Sequence, residues 1–389
     1  MNKYLKKVLF SLILHAIDKK EVEENVKNLI KDESLLRSVY SIAKGHDVAH
    51  LVAYALDNLG YIDKETEIGK KFFKQQTMAI FRCEQILLEL ENVCKTFEET
   101  KIAFIPLKGS VIRNLYPEPW MRTSCDIDIL VHEEDLSRAI EVLKQKLNFS
   151  TDGIRSSHDV SLFSELGVHI ELHFDLTEGE KAGCLSDVWT YSEVKKGYKY
   201  WRQLQPSVFY FYHIKHMVKH FEAGGCGIKP FIDLYVMQGV QIREESLLLI
   251  KEEGLEKFES AVYNLERVWF NGEEEDELSL ELEAYICDGG VYGSVENRVL
   301  TQQVKQGGKI KYILSRIFIP YSQLVIKYPS LKKCPILFPF YQVRRWFNLL
   351  FAKGRGKKSI QELNATTSVS KTLSKRQENL LERLGLKIK

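Results

Sequence analysis

Residues 104–131 read FIPLKGSVIRNLYPEPWMRTSCDIDILV, and this stretch decides the fold prediction. The short β-branched run around Asp126 and Asp128 predicts a buried strand. Because residues two apart on a strand share a face, the two aspartates point to one side while Ile127 and Ile129 point into the core. Two carboxylates on one face repel each other, and a divalent cation such as Mg²⁺ relieves that repulsion. An isolated Asp-x-Asp more often marks only the polar face of a half-exposed strand, so its context decides.

A glycine turn supplies that context. Residues 102–107 predict a second strand that runs into Lys108, Gly109 and Ser110. We expect a helix to begin there, with Ser110 as its N-cap. Such a turn offers backbone N–H groups and a positive dipole to a phosphate. A phosphate-binding turn close to a paired-acid metal site indicates phosphoryl or nucleotidyl transfer.

A third strand carries further polar groups. Residues 133–146 predict a crossover helix, and residues 157–163 and the stretch VHIELHFDL from Val168 predict strands. In the last of these, His169, Glu171 and His173 alternate with apolar residues, so one face is apolar and the other holds an acid between two histidines.

The motifs LKGS, YPEPWMR, DIDILV and HIELHFDL carry a resemblance. They resemble an uncharacterised bacterial nucleotidyltransferase family of the polymerase-β-type superfamily, often found beside polysaccharide-biosynthesis genes. The resemblance implies an α+β fold, with a small mixed sheet, helices on one face, and helical modules at both ends. It also implies that Asp126, Asp128 and Glu171 are catalytic and hold two Mg²⁺ ions, with Mn²⁺ as an alternative. Glu171 would act as general base or simply as a metal ligand.

The predicted nucleotide-binding residues surround these acids. They are Lys108, Gly109, Ser110, Arg122, His173, His216 and His220. Arg122 would either neutralise a triphosphate or pair with an aspartate. His173 would contact a phosphate or be an ordinary polar-face histidine. His216 and His220 would line the site or be satisfied histidines of a packed helix.

Charge is divided unevenly along the chain. Residues 301–389 contain 19 lysines and arginines against three glutamates, so with a total of +2 the first 300 residues carry −14. Within the basic part, residues 310–351 are aromatic and predict short amphipathic helices separated by prolines. Such a segment suits a membrane surface, nucleic acid or the acidic remainder of this chain. We rank the membrane and the chain itself level and do not expect nucleic acid as a partner.

The cysteines and the apolar runs indicate in which cellular compartment the protein is expected. The seven cysteines are scattered without a C-x-x-C pair, which indicates reduced thiols. No stretch reaches the roughly 18 apolar residues of a spanning helix. We therefore expect a cytoplasmic protein, in contact with the inner face of the membrane if the basic segment binds lipid. The predicted parts are a helical module (1–98), the nucleotidyltransferase core (99–205), a helical domain (206–300), the basic aromatic segment (301–356) and a largely disordered tail (357–389).

These observations predict a Mg²⁺-dependent enzyme. It would move a nucleoside monophosphate from a nucleoside triphosphate such as ATP to a hydroxyl acceptor. The acceptor would be a sugar, a lipid-linked sugar, another small molecule or a protein. The alternative from another class is a non-catalytic scaffold of polysaccharide biosynthesis that binds a nucleotide or a membrane.

Overall fold

The fold was determined as a computed structural model. It describes residues 1–151, 155–176, 183–237, 242–291, 293, 295–305, 308–321, 324–325, 328–351 and 371–386. The chain forms two compact units, one of residues 1–217 with 228–283 and one of residues 218–227 with 284–389. The predicted division of the chain into five parts stays a prediction.

A four-stranded mixed sheet forms the centre of the first unit. Its strands are β1 (Phe104–Pro106), β2 (Asp126–Val131), β3 (Asp159–Phe163) and β4 (His169–His173). They are ordered β1-β2-β4-β3, with β2 and β4 parallel and both outer pairs antiparallel. The register sets Asp128 opposite Glu171, and His173 opposite both Leu130 and Asp159. The polar residues of three strands therefore meet on one face.

Two helices cover the other face of this sheet. They are α5 (Glu67–Glu99) and α7 (Leu136–Leu147). Helix α7 buries Leu136, Ala139 and Leu143, which helical spacing places on one side. They share one core with the inward-pointing Ile127 and Ile129 of β2. The prediction of an α+β fold with a small mixed sheet and helices on one face is confirmed.

The other elements up to residue 287 are mostly helical. Before the sheet come α1 (Lys3–Asp18), α2 (Glu24–Ile30), α3 (Glu33–Gly45) and α4 (Ala49–Asn58), and within it the four-residue α6 (Gly109–Ile112). After the sheet come a two-stranded ribbon of β5 (Ser192–Val194) and β6 (Arg202–Leu204), and the helices α8 (Pro206–Ala223), α9 (Lys229–Met237), α10 (Ile242–Glu252), α11 (Glu256–Phe270) and α12 (Glu277–Cys287).

The second unit holds the basic C-terminal part of the chain. Its helices include α13 (Val295–Lys305), α14 (Lys309–Ile317), Phe338–Phe351 and Lys371–Arg383, with 3₁₀ turns at Pro329–Lys332 and Pro335–Leu337. Short helices separated by prolines are what the sequence predicts here. Residues 352–356 of the predicted basic segment, and residues 357–370 and 387–389 of the predicted tail, lie outside the described residues. Across the described ranges, no helix combines the length and apolar character needed to cross a bilayer.

Candidate active site

Three carboxylates lie on the sheet face opposite α5 and α7. Asp126 and Asp128 alternate with core residues along β2, and parallel pairing brings Glu171 of β4 beside them. Ligand atoms of Asp126, His169 and Glu171 lie within 4.8 Å of one another, and the same holds for Asp128, Glu171 and His173. This face of the sheet therefore carries a cluster of carboxylate oxygens together with the imidazoles of His169 and His173.

Asp128 is the most enclosed of the three acids, at 3% exposure. Its Oδ1 accepts hydrogen bonds from Lys108 Nζ at 2.7 Å and from His173 Nε2 at 2.9 Å. Burial alone would raise the pKa of Asp128, but Lys108 and His173 outweigh it and hold that pKa well below its usual range. Burial also opposes the charge on Lys108, yet Tyr212 of α8, Asp128 and Glu171 raise the Lys108 pKa. Both groups are therefore charged at neutral pH.

Asp126 has the opposite electrostatic character. Burial raises its pKa, and the nearby charges of Asp128 and Glu171 raise it further. Lys108 and His169 compensate only in part. Such a cluster is stabilised by a cation that replaces water around the carboxylates, and carboxylate oxygens are the ligands that Mg²⁺ prefers. Asp126, Asp128 and Glu171 therefore fit a divalent ion.

The turn between β1 and α6 is strained and tightly packed. Lys108 has φ of 43° and ψ of −123°, a conformation that costs a non-glycine residue about 1–3 kcal/mol. A Cβ added at Gly109 would lie 3.3 Å from the Cβ of Ser124, so only glycine fits without displacing the loop before β2. The Lys108 ammonium contacts Asp128 of β2, and the turn packs against the loop before that strand.

The prediction that Ser110 is a helix N-cap is wrong. Helix α6 begins at Gly109, and its N-cap is Lys108, which makes no side-chain cap. The Ser110 N–H instead donates to the Leu107 carbonyl at 3.0 Å. Its hydroxyl is buried and has no hydrogen-bond partner among the described residues. Ser110 thus lies inside the turn, with a polar atom that remains unsatisfied.

Arg122 lies beside an aspartate distant in the sequence. Its Nε and Nη2 donate to the two oxygens of Asp233, both at 2.7 Å, and Nη1 donates to the Thr123 carbonyl at 2.6 Å. Asp233, in the middle of α9, is fully buried and also accepts from the Tyr116 hydroxyl at 2.8 Å. The predicted phosphate contact of Arg122 would require the guanidinium to leave Asp233, and it stays a prediction.

A buried arginine supports the turn and was not predicted from the sequence. Arg113, at 1% exposure, donates to the Gly109 carbonyl at 2.8 Å and to the Ser124 hydroxyl at 2.6 Å. The Ser124 hydroxyl in turn donates to the backbone oxygen of Asp126 at 3.2 Å. Arg113 therefore ties the glycine turn to the start of β2. In the sequence, Arg113 follows Gly109 by one helical turn, and this spacing was the signal that could have predicted their contact.

The predicted histidines are placed in different parts of the fold. His173 joins the acids directly through Asp128. His216 and His220 both lie half-buried on α8, and His220 belongs to the second compact unit. Their contacts with a nucleotide stay predictions.

Two polar residues at the sheet edge also escaped the sequence prediction. His158 immediately precedes β3, and Asp159 begins that strand and pairs across to His173. Alternation along β3 places Asp159 on the same face as the acids. The pairing of β3 with β4 was needed to see this, because register is not visible in a single strand.

Comparison with known proteins supplies the family. A family model described as uncharacterised nucleotidyltransferase matches residues 32–271, which run from α3 through α11 and include every acid of the site. No curated protein and no solved structure matches the chain. The match covers more than half of the chain and agrees with the resemblance of its motifs. The chain therefore belongs to this uncharacterised nucleotidyltransferase family.

Proposed function

We propose that this protein transfers a nucleoside monophosphate from a nucleoside triphosphate to a hydroxyl acceptor, with Mg²⁺ as the cofactor. Family membership supports nucleotidyl transfer and hence a nucleoside triphosphate donor. The observation that carries the proposal is the convergence of Asp126, Asp128 and Glu171 on the sheet face opposite α5 and α7. A polar strand face without function would not concentrate three acids around one half-buried lysine.

The three carboxylates would hold two Mg²⁺ ions, or Mn²⁺ in their place. When bound, such ions neutralise the phosphate charge and stabilise the attacking and leaving oxygens. The raised pKa of Asp126 supports this assignment, because its carboxylate lacks sufficient positive charge from the protein itself.

The protein's own groups would carry the proton and position the phosphates. Glu171 accepts the proton of the acceptor hydroxyl, whose oxygen bonds to the α-phosphorus. The bond from that phosphorus to the bridging oxygen breaks, and pyrophosphate leaves. Gly109 lets the phosphates approach the turn, while Lys108 supplies positive charge and the unsatisfied Ser110 hydroxyl donates a hydrogen bond.

The remaining predicted residues would support this arrangement. His173 holds the Asp128 carboxylate through its Nε2. Arg122, held by Asp233, fixes the loop before β2 unless a phosphate draws it away. His216 and His220 would line the nucleotide side of α8. The acceptor would be a sugar, a lipid-linked sugar, another small molecule or a protein.

Calorimetry with nucleotides tests the donor site. We expect one of ATP, GTP, CTP and UTP to bind selectively in the presence of Mg²⁺ and not in its absence. Binding should vanish in the Asp126→Ala/Asp128→Ala variant, which removes two ligands. A matched control, Asp57→Ala/Asp187→Ala, removes the same charge from exposed positions and should bind like the wild type. Failure of the folded wild type to bind any of the four would contradict the proposal and favour the scaffold alternative.

We also propose that the basic segment 310–351 contacts an anionic membrane. In α14, Ile310, Leu314 and Ile317 are exposed at helical spacing. In helix Phe338–Phe351, Phe340 and Phe347 are likewise exposed, beside Arg344 and Arg345. Exposed apolar stripes flanked by cations are typical of helices that lie in the membrane interface.

Vesicle co-sedimentation tests this contact. We expect binding to vesicles rich in phosphatidylserine, little binding to phosphatidylcholine vesicles, and a marked loss in Phe340→Ser/Phe347→Ser. The control variant Phe81→Ser/Leu88→Ser removes two exposed apolar side chains from α5 and should bind normally. Equal binding by both variants would refute the assignment of this surface.

A further inference from the structure

A second cluster of metal-ligating groups lies at the β3 edge of the site. His158, Asp159 and His173 each offer a ligand atom, and these atoms lie within 4.8 Å of one another. Asp159 and His173 are direct partners in the β3–β4 register, and His158 immediately precedes β3. The cluster shares His173 with the group of Asp128, Glu171 and His173, but it contains none of the three carboxylates, so it is a different ligand set from the carboxylate site.

The hydrogen bond between His173 and Asp128 engages one ring nitrogen of His173 and leaves the other to act as a metal ligand. Its ring is 2% exposed, and its Nε2 lies 2.9 Å from Asp128 Oδ1. Its Nδ1 is buried without a hydrogen-bond partner among the described residues. A buried polar atom left unsatisfied costs about 1–3 kcal/mol. A histidine that gives one ring N–H to a carboxylate and keeps the other nitrogen as a lone pair has the arrangement typical of metal ligands.

Both ring nitrogens and the backbone carbonyl of His158 contact neighbouring residues. Its Nδ1 lies 3.1 Å from the Ser157 hydroxyl, and its Nε2 lies 2.8 Å from Asp159 Oδ2. Its backbone carbonyl accepts from the Phe174 N–H at 2.9 Å, which fixes the residue against the end of β4. When Nδ1 carries the proton toward Ser157, the Nε2 lone pair faces a carboxylate, and a cation between them satisfies both.

The donor set selects the kind of cation. Two imidazole nitrogens and one carboxylate oxygen suit Zn²⁺ and related first-row ions. Mg²⁺ prefers oxygen ligands throughout and is the poorer match here. With three protein ligands, a tetrahedral ion keeps one position for water or a substrate oxygen.

We propose that His158, Asp159 and His173 bind one divalent cation of the Zn²⁺ class, separately from the Mg²⁺ site. The proposal rests on the cluster geometry and does not depend on the proposed transferase function. A bound ion would hold His173 as the tautomer that donates Nε2–H to Asp128. The second site would thereby orient one of the carboxylates of the first.

Metal titration of the full-length protein tests this site. Metal-free protein in excess Mg²⁺ is titrated with Zn²⁺ by calorimetry and with Co²⁺ by visible absorption. We expect one equivalent to bind, with d–d bands that report nitrogen ligands. His158→Ala should weaken this binding by about 100-fold or more, because loss of a ligand costs at least as much as loss of a supporting group. Asp159→Asn should weaken it in the same direction.

Matched variants separate this site from others. His132→Ala removes a histidine that stacks on Trp189 outside the cluster, and it should bind Zn²⁺ like the wild type. Asp126→Asn should also retain Zn²⁺ binding although it impairs the carboxylate site. Circular dichroism confirms that each variant is folded. Absence of Zn²⁺ binding in excess Mg²⁺, or binding unchanged in both folded His158→Ala and Asp159→Asn, would overturn the proposal.

Discussion

The Asp126→Asn variant is expected to lose nucleotidyl transfer by at least about 1000-fold without losing thermal stability in metal-free buffer. A bound metal ion contributes several kcal/mol to the transition state, and each tenfold in rate corresponds to about 1.4 kcal/mol. The folded protein gains from the change, because burial and the charges of Asp128 and Glu171 raise the pKa of Asp126. A carboxyl group with a raised pKa destabilises the fold when it is ionised at neutral pH.

Pyrophosphate release and thermal unfolding measure the two effects. The release assay uses the nucleotide selected by calorimetry and a panel of sugar, lipid-linked sugar and protein acceptors. Added Mg²⁺ should raise the Tm of the wild type and not that of Asp126→Asn. Unchanged turnover in the variant would refute the catalytic assignment of Asp126.

Asp128→Asn provides the contrasting variant. It should also abolish transfer, but it should lower the Tm in metal-free buffer. The lowered pKa of Asp128 reflects its bonds to Lys108 and His173, and the variant leaves the Lys108 ammonium with Glu171 at 4.0 Å. Equal Tm values for the two variants would contradict the different electrostatic roles assigned to these aspartates.

The Asp233→Ala variant is expected to lower the free energy of unfolding by about 3–5 kcal/mol, because it leaves the largely buried Arg122 guanidinium, whose side chain is 12% exposed, without its partner. Asp233 is fully buried and accepts from both Arg122 and Tyr116. Burial alone would raise the pKa of Asp233, but the Arg122 charge outweighs burial and lowers it. The ion pair and its hydrogen bonds therefore join α9 to the loop before β2.

Urea unfolding of matched variants measures this effect. Asp57→Ala breaks an exposed ion pair with Lys64 and should cost no more than about 1 kcal/mol. The double variant Arg122→Met/Asp233→Leu should lose less than Asp233→Ala, since it leaves no unpaired buried charge. If Asp233→Ala unfolds no more readily than Asp57→Ala, the Arg122–Asp233 pair does not stabilise the loop.

Local pattern was sufficient for the elements and for the central acids. Alternation in β2 and β4 predicts which residues face the core, because successive side chains on a strand point in opposite directions. The helices α5 and α7 follow from apolar spacing in the same way. Family membership agrees with the motifs that the sequence contains. Strand alternation and helical spacing depend only on residues that are a few positions apart in the sequence.

The partners of individual site residues depended on the tertiary structure. Arg122 had two alternatives in the sequence, a phosphate or an aspartate, and the packing of α9 places Asp233 against it across 111 residues. Ser110 was expected to cap a helix, but the strained Lys108 starts α6 one residue earlier. In both cases a contact or a backbone strain that no local pattern encodes decides the outcome.

The sequence by itself determined that this chain is an α+β nucleotidyltransferase with paired acids on one strand, because strand periodicity and motif spacing are local. Only the tertiary structure decided that Lys108 neutralises Asp128, and that His158 and Asp159 meet His173. The physical reason is strand register. The order β1-β2-β4-β3 brings together residues from separate strands, and the core on the opposite face sets that order.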